Sequence, residues 1–381
     1  MLQTPSTLNP LKFRDPRTTA KGEKRATVAL RALETLWFNT GTLCNLTCRN
    51  CYIESSPRND RLAYLTAAEV GTFLNEVAQR RLPVGTVGFT GGEPFMNPDL
   101  VPMLADTLGR GHAALVLTNA MRPMLKMADQ LDALRVQHGK RLRVRVSIDH
   151  YGPALHEAER GPRSWAPTLE GLRWLATRGF VIEVAGRLFS NEPEPVVRQG
   201  FAQLFRDQGI PLDAADPVAL VLFPEMDASV DVPEITEACW SILGRMPDSV
   251  MCSNSRMVVR RREADRPSVV ACTLLPYETE FDLGATLAEA AGPVALNHPH
   301  CARFCVLGGG ACSREGRPMA LTPARRRGKR LRSLRAPSAC APSCGHGARP
   351  RRPRGHGARM VSRNGGAASS RDRRLRAAAS S

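Results

Sequence analysis

The chain has 381 residues, enough for one large domain with an appendage or for two domains. Its net charge of +17 does not make the whole chain a polybasic binder, because residues 316–381 hold 18 Lys and Arg against one acid, Asp372, and so carry all of the excess. The first thirty residues lack a continuous apolar run and no stretch has the length of a transmembrane helix. The expectation is a soluble, cytoplasmic protein without a membrane partner, in which eleven cysteines mean metal or redox chemistry rather than disulfides.

Residues 1–30 read as a polar lead-in. Leu33–Asn39 reads as a first strand, and directly after it comes the run Cys44-Asn45-Leu46-Thr47-Cys48-Arg49-Asn50-Cys51. Thr66-Ala67-Ala68-Glu69 reads as a capping box, opening a helix with Val70, Phe73, Leu74 and Val77 on one face. The next strand, Val84–Thr90, is followed by Gly91-Gly92-Glu93-Pro94 and a helix over Asp99–Leu108. Ala113–Asn119, Leu142–Asp149, Phe180–Arg187 and Val218–Phe223 read as further strands. Apolar stripes at Leu125–Leu134, Leu169–Leu175 and Val197–Phe205 read as the helices between them, with a sixth near Glu234–Leu243. Six strand–helix pairs in alternation predict an α/β fold with a parallel sheet and right-handed crossovers. Periodicity alone does not separate an open sheet from a barrel. In either, ligands sit at the carboxyl ends of the strands, where Cys44–Cys51, Gly91–Pro94, Asn119, Asp149 and Arg187 all fall.

The C-x3-C-x2-C spacing suits three thiolates around one iron–sulfur cluster. A cubane cluster takes four cysteines, so three leave one iron open, which is the mark of a catalytic metal site. A zinc site completed by a distant residue is the competing reading. The three cysteines together with Gly91–Pro94 resemble the two signatures of the radical S-adenosylmethionine (SAM) enzymes. One departure is that Asn50 stands where that family usually has an aromatic residue before the third cysteine, with Tyr52 just after it.

The resemblance implies an open, six-unit partial barrel. It also implies an oxidoreductase in which the open iron binds SAM, and one electron cleaves SAM to a deoxyadenosyl radical that abstracts hydrogen from a substrate. Gly91, Gly92, Glu93 and Pro94 would meet the SAM amino group. Asn119, Ser147 and Asp149 would meet its ribose or carboxylate, and Arg187 would pair with the carboxylate. A flavodoxin or ferredoxin would donate the electron.

A second cysteine set comprises Cys252, Cys272, Cys301, Cys305 and Cys312, with Cys239 upstream and Gly308-Gly309-Gly310 among them. It resembles the auxiliary-cluster region of SPASM or twitch type found in many peptide-modifying members. The spacing departs from that pattern, and Pro267 stands where a glycine is usual. These five cysteines are expected to hold one auxiliary 4Fe–4S cluster. Buried apolar cysteines are the bland reading. His298 and His300 beside Cys301 read as loop residues.

Residues 316–381 lack Phe, Tyr, Trp and Ile and read as disordered. Their abrupt onset resembles an out-of-frame extension of a GC-rich gene, and nucleic acid would meet them only nonspecifically. Cys340 and Cys344 lie there as a lone pair. The expected organisation is a lead-in (1–30), a core (31–225), a cysteine-rich auxiliary domain (226–315) and the tail (316–381). The expected function is a radical SAM enzyme acting on a peptide or protein. The alternatives are a small-molecule or nucleotide substrate, or an iron–sulfur electron carrier or scaffold that never turns over SAM.

Overall fold

A computed structural model describes residues 7–310 apart from Met226 and Ala228. In chain order it contains β1 (Thr27–Val28), β2 (Thr35–Asn39), α1 (Ala67–Gln79), β3 (Thr86–Thr90), α2 (Leu100–Gly109) and β4 (Ala113–Thr118). There follow α3 (Arg122–Leu125), α4 (Ala128–His138), β5 (Leu142–Ser147), α5 (Pro153–Arg160), α6 (Trp165–Thr177) and β6 (Val181–Leu188). Last come α7 (Glu194–Asp207), β7 (Leu220–Pro224), α8 (Cys239–Leu243), β8 (Ser255–Val259), β9 (Ser268–Val270) and β10 (Val294–Ala295). The main sheet has the order β7-β6-β5-β4-β3-β2-β8-β9, and every pairing in it is parallel except β8 with β9.

The six expected strands are therefore β2 to β7, adjacent in sequence order. Strands covered on both faces read as nearly continuous apolar runs, and all residues of β2 and β3 are buried. β2 alternates between two cores. Leu36 and Phe38 join the core under the helices with Val70, Phe73 and Leu104. Trp37 joins an inner core with Leu115, Met257 and Phe304. That inner core is completed largely by residues 232–306, so this segment covers the face of the sheet opposite the helices.

The capping box forms as expected. Thr66 Oγ1 accepts from Glu69 N at 3.2 Å, and Thr66 N donates to Glu69 Oε2 at 2.8 Å. The Leu125–Leu134 stripe divides between α3 and α4. The helix expected over Glu234–Leu243 is confined to Cys239–Leu243. The stretch before it is drawn out against the N-terminal residues: Ala26 N donates to Ile235 O at 2.9 Å, and the Glu234 carboxylate takes Phe13 N and Arg25 Nη2. The N-terminal residues from 7 on are packed through Phe13, Ala26 and Val28, and β1 pairs with β10.

Besides the short pair β1 and β10, three elements were not anticipated. β8 lies parallel to β2 and carries the sheet past the expected 225/226 boundary, β9 extends it, and α5 follows β5. Among the described residues, no helix is long and apolar enough to cross a membrane. Cys312, Cys340, Cys344 and the tail at 316–381 lie outside the described residues.

Candidate functional site

The register of the sheet sets Asn39 opposite Thr90, so the loops leaving β2 and β3 run side by side. They are stitched by Thr40 N to Thr90 O at 2.8 Å, Gly92 N to Gly41 O at 2.8 Å and Glu93 N to Leu43 O at 3.1 Å. Gly91 has φ +142°, and a Cβ placed there would lie 2.5 Å from Gly41 O. A Cβ on Gly92 would lie 2.3 Å from Leu43 O. Real Cβ atoms do not come that close, so the two glycines are needed to seat the cysteine loop as well as to leave main chain bare.

A cavity opens at this edge, the end of a parallel sheet where ligands bind. Cys44, Cys48, Cys51, Gly91 and Gly92 line it, with Asn119, Ser147, Asp149 and Arg187. Of the expected SAM-site residues, Glu93 and Pro94 do not line it. The Glu93 carboxylate turns inward and accepts from Phe95 N at 3.2 Å, Thr118 Oγ1 at 2.8 Å and Asn119 N at 2.9 Å. It ties the β3 loop to the end of β4. Burial pushes its pKa up to about 7, against these three donors.

Main-chain N–H groups point at two of the three sulfurs: Leu46 N at Cys44 Sγ and Ser55 N at Cys51 Sγ, both at 3.4 Å. Burial pushes the Cys44 thiol up to about 12 and raises Cys48, which Arg160 counteracts. A thiolate is thus disfavoured here until a metal centre takes it up. No group of three or more His, Cys, Asp or Glu among the described residues gathers tightly enough for a single metal ion, and all three thiols line the cavity. Three soft thiolates, amide donors to sulfur and a cavity alongside make a donor set that fits an iron–sulfur cluster with room beside it.

Asp149 and Arg187 belong to a buried charge network. Asp149 Oδ1 accepts from Arg160 Nη2 at 3.0 Å. Burial alone would raise the Asp149 carboxyl, but the Arg160 and Arg187 guanidiniums hold it below its ordinary range. Arg187 donates to Glu159 Oε2 at 2.9 Å and to both Glu225 oxygens at 2.8 and 3.0 Å. With carboxylates already around it, Arg187 is less free for a substrate carboxylate than its place on the strand suggested.

Arg160 was not anticipated. It lines the cavity, and its Nε is buried without a hydrogen-bond partner. Burial works against its charge, but Asp149 and then Cys48 keep it charged. The sequence signal was Pro153-Ala154-Leu155-His156-Glu157-Ala158-Glu159-Arg160, a short amphipathic stretch opened by Gly152-Pro153. Asn50, the departure in the cysteine run, is also explained: its Nδ2 donates to Glu159 Oε2 at 2.9 Å while Arg49 N donates to Glu159 O at 2.7 Å. The last turn of α5 clasps the cysteine loop.

In the second set, Cys252, Cys272 and Cys301 are buried in the inner core, and Cys239 and Cys305 are partly buried. Burial raises Cys301 well above the usual thiol range, with Cys272 and Cys252 near enough to act on it. Cys301 and Cys305 share a π-helical segment, Cys301–Leu307, a geometry concentrated at functional sites. Phe304 of that segment lines the cavity and packs on Phe223, ring centroids 5.4 Å apart. Cys239 Sγ accepts from Thr236 N at 3.4 Å. His298 and His300 have ring centroids 4.7 Å apart, and burial pushes His298 down to about 3.

Comparison with known proteins gives three kinds of likeness. The chain is 28% identical over 169 residues to the antilisterial bacteriocin subtilosin biosynthesis protein AlbA of Bacillus subtilis, covering 44% of this chain and 35% of that one. It is 32% identical over 145 residues to GTP 3',8-cyclase 1 of Mycobacterium tuberculosis, covering 36% and 38%. The chain thus matches little more than a third of the length of these curated relatives. Among solved structures, it resembles Streptococcus suis SuiB bound to S-adenosylmethionine at 12% identity and TM-score 0.49, covering 67% of this chain and 64% of that one. It resembles anSMEcpe with bound AdoMet at 14% identity and TM-score 0.48, covering 67% and 79%. Residues 38–189, from within β2 through β6 and including both motifs, match the family model of the Radical SAM superfamily, which supports a radical SAM domain over that stretch.

Proposed function

We propose that the chain is a radical SAM enzyme in which Cys44, Cys48 and Cys51 hold a 4Fe–4S cluster beside a SAM site, and that its substrate is a peptide or protein. When bound, the cluster supplies the electron that splits SAM to a 5'-deoxyadenosyl radical, which takes a hydrogen atom from the substrate. The observation that carries this reading is the meeting of the three-thiol loop and the Gly91-Gly92 turn on one cavity at the carboxyl edge of the sheet.

The residues divide the work. Gly91 and Gly92 present main chain to the SAM amino group, while Glu93 and Pro94 hold the turn in place. Asn119, Ser147 and ionised Asp149 offer hydrogen-bonding groups for the ribose. Arg160, a cavity-lining guanidinium whose buried Nε has no hydrogen-bond partner, suits the carboxylate, and Arg187 positions Asp149 and Glu159. Phe304 and Leu274 wall the cavity from the C-terminal side and exclude water from a reactive intermediate. In this reading residues 31–225 are the catalytic core. Leu274 and Phe304 close the cavity, and the auxiliary domain, residues 226–315, holds a 4Fe–4S cluster through Cys252, Cys272, Cys301, Cys305 and Cys312. A flavodoxin or ferredoxin supplies electrons.

The likeness to a protein named for bacteriocin biosynthesis favours a peptide. The likeness to one named GTP 3',8-cyclase favours a nucleotide, and that is the second reading. The test is release of 5'-deoxyadenosine by the anaerobically reconstituted, reduced chain. Changing Cys44, Cys48 and Cys51 together to Ala should abolish it and lower iron from about eight to about four per chain. Retained SAM cleavage in that variant would sink the assignment.

A further inference from the structure

Among the described residues, three arginines are almost wholly shielded from solvent: Arg25 and Arg256 at 1% exposure and Arg145 at 3%. A buried guanidinium is costly unless an anion compensates it. Arg25 has Glu234 Oε1 at 2.6 Å, and Arg145 has Glu183 Oε2 at 2.6 Å. Arg256 differs. Its donors go to four main-chain carbonyls, of Ala290 at 2.9 Å, Cys252 at 2.7 Å, Ser255 at 2.8 Å and Gly292 at 2.9 Å. Carbonyl dipoles solvate the cation without neutralising it. No carboxylate among the described residues pairs with it.

The ionisable groups that act on Arg256 are thiols. Burial weakens its charge, and Cys252 and Cys272 are the groups that support it. Those two act in turn on Cys301, which Arg25 also reaches, but Arg25 already has its anion in Glu234. As neutral thiols the three leave a buried cation unbalanced. As thiolates on a metal centre they bring net negative charge to this spot.

We propose that Arg256 is the built-in counter-charge of an anionic metal–thiolate centre held by Cys252, Cys272 and Cys301, and that it raises the reduction potential of that centre. The inference rests on the auxiliary-cluster reading above and adds to it the residue that compensates the charge. An electron entering the centre makes it more negative. A fixed cation in a poorly screened interior favours that reduced form over the oxidised one.

The test uses the full chain in a background with Cys44, Cys48 and Cys51 changed to Ala, reconstituted anaerobically with iron and sulfide, so that the second centre is read alone. Its midpoint is followed by electron paramagnetic resonance during a redox titration. Arg256→Gln should move the midpoint to a more negative potential, and Arg256→Lys should leave it near the parent value. Folded Arg256→Gln that loses iron which Arg256→Lys retains also supports the proposal. If Arg256→Gln does not fold, Arg256→Lys decides, since a folded, iron-loaded protein with a near-parental midpoint is again the expected result. An unchanged midpoint in Arg256→Gln overturns the role of Arg256 and leaves the second cluster standing. Loss of iron from both variants with the fold intact also overturns it, because charge is then not what matters. Absence of iron from the background protein with Arg256 in place removes the auxiliary cluster itself, and the counter-charge with it.

Discussion

The loop Cys44–Cys51 and the trio Cys252, Cys272 and Cys301 use the same side chain in opposite surroundings. The first three thiols line an open cavity on a short loop, with amide donors at two sulfurs and a network of Asp149, Glu159, Arg160 and Arg187 beside them. The other three are buried in an apolar core with Val270, Leu274 and Phe304, with Arg256 beside Cys252 and Cys272 and the Glu234-paired Arg25 acting on Cys301. Sequence spacing announces a site when its ligands are local. When candidate ligands come from three separate stretches, the sequence lists the cysteines, but only the folded interior shows which of them share a core and which charge sits beside them.

The largest expected effect falls on the second region. Glu234→Gln leaves Arg25 buried without its anion, and breaking a buried pair from one side costs about 3–5 kcal/mol. Arg25 Nη1 also donates to Leu296 O, close in sequence to Cys301. The urea midpoint should therefore fall, with iron lost from the second centre before the first. Equal loss from both would mean that the two regions unfold together.

Gly92→Ala strikes the first region instead. A methyl group 2.3 Å from Leu43 O forces the cysteine loop aside, and overpacking of this kind costs about 1–3 kcal/mol. Iron should drop from the first centre while about four per chain remain on the second. Unchanged SAM cleavage in Gly92→Ala would mean that the stitched loops tolerate separation. Thr66→Ala serves as a control remote from both, because losing the α1 cap costs about 1 kcal/mol. It should lower the thermal midpoint and leave iron content unchanged.

The legible and illegible parts of the molecule follow the same division. The strands β2 to β7, the α1 cap and the two motifs were readable because each depends on residues close in sequence. β8 was not, because Ser255–Val259 becomes a central strand only by lying parallel to β2, more than two hundred residues earlier. Arg160 was hidden because its meaning depends on α5 reaching the cysteine loop. The N-terminal residues looked merely polar because the partners of Arg25 and Lys12, Glu234 and Asp231, are as distant as β8 is from β2. Among the site residues, Glu93 belongs to the motif yet serves the turn rather than the cavity surface.

The smallest expected effect sharpens the first region alone. Just past Asp149, His150 Nε2 donates to Glu192 Oε2 at 2.9 Å, and Tyr151 Oη donates to Glu192 Oε1 at 2.6 Å. Its polar surroundings, with the hydrogen bonds from Tyr151 and His150 among them, hold the Glu192 carboxyl down at about 2. A carboxyl whose pKa is lower in the folded than in the unfolded chain stabilises the fold above the unfolded value. That contribution is lost as pH falls from about 4.5 toward 2. Glu192→Gln removes the titration, so its stability should fall less steeply than the parent's over that interval and should be modestly lower at neutral pH. Urea unfolding at a series of pH values reads the difference. Because Glu192 is partly exposed, the effect at neutral pH should be small. It should nevertheless appear as weaker SAM binding with the iron content of both centres unchanged, since what loosens is the loop that carries Asp149. Parallel pH curves for the two proteins would place the clasp outside the stability of this edge.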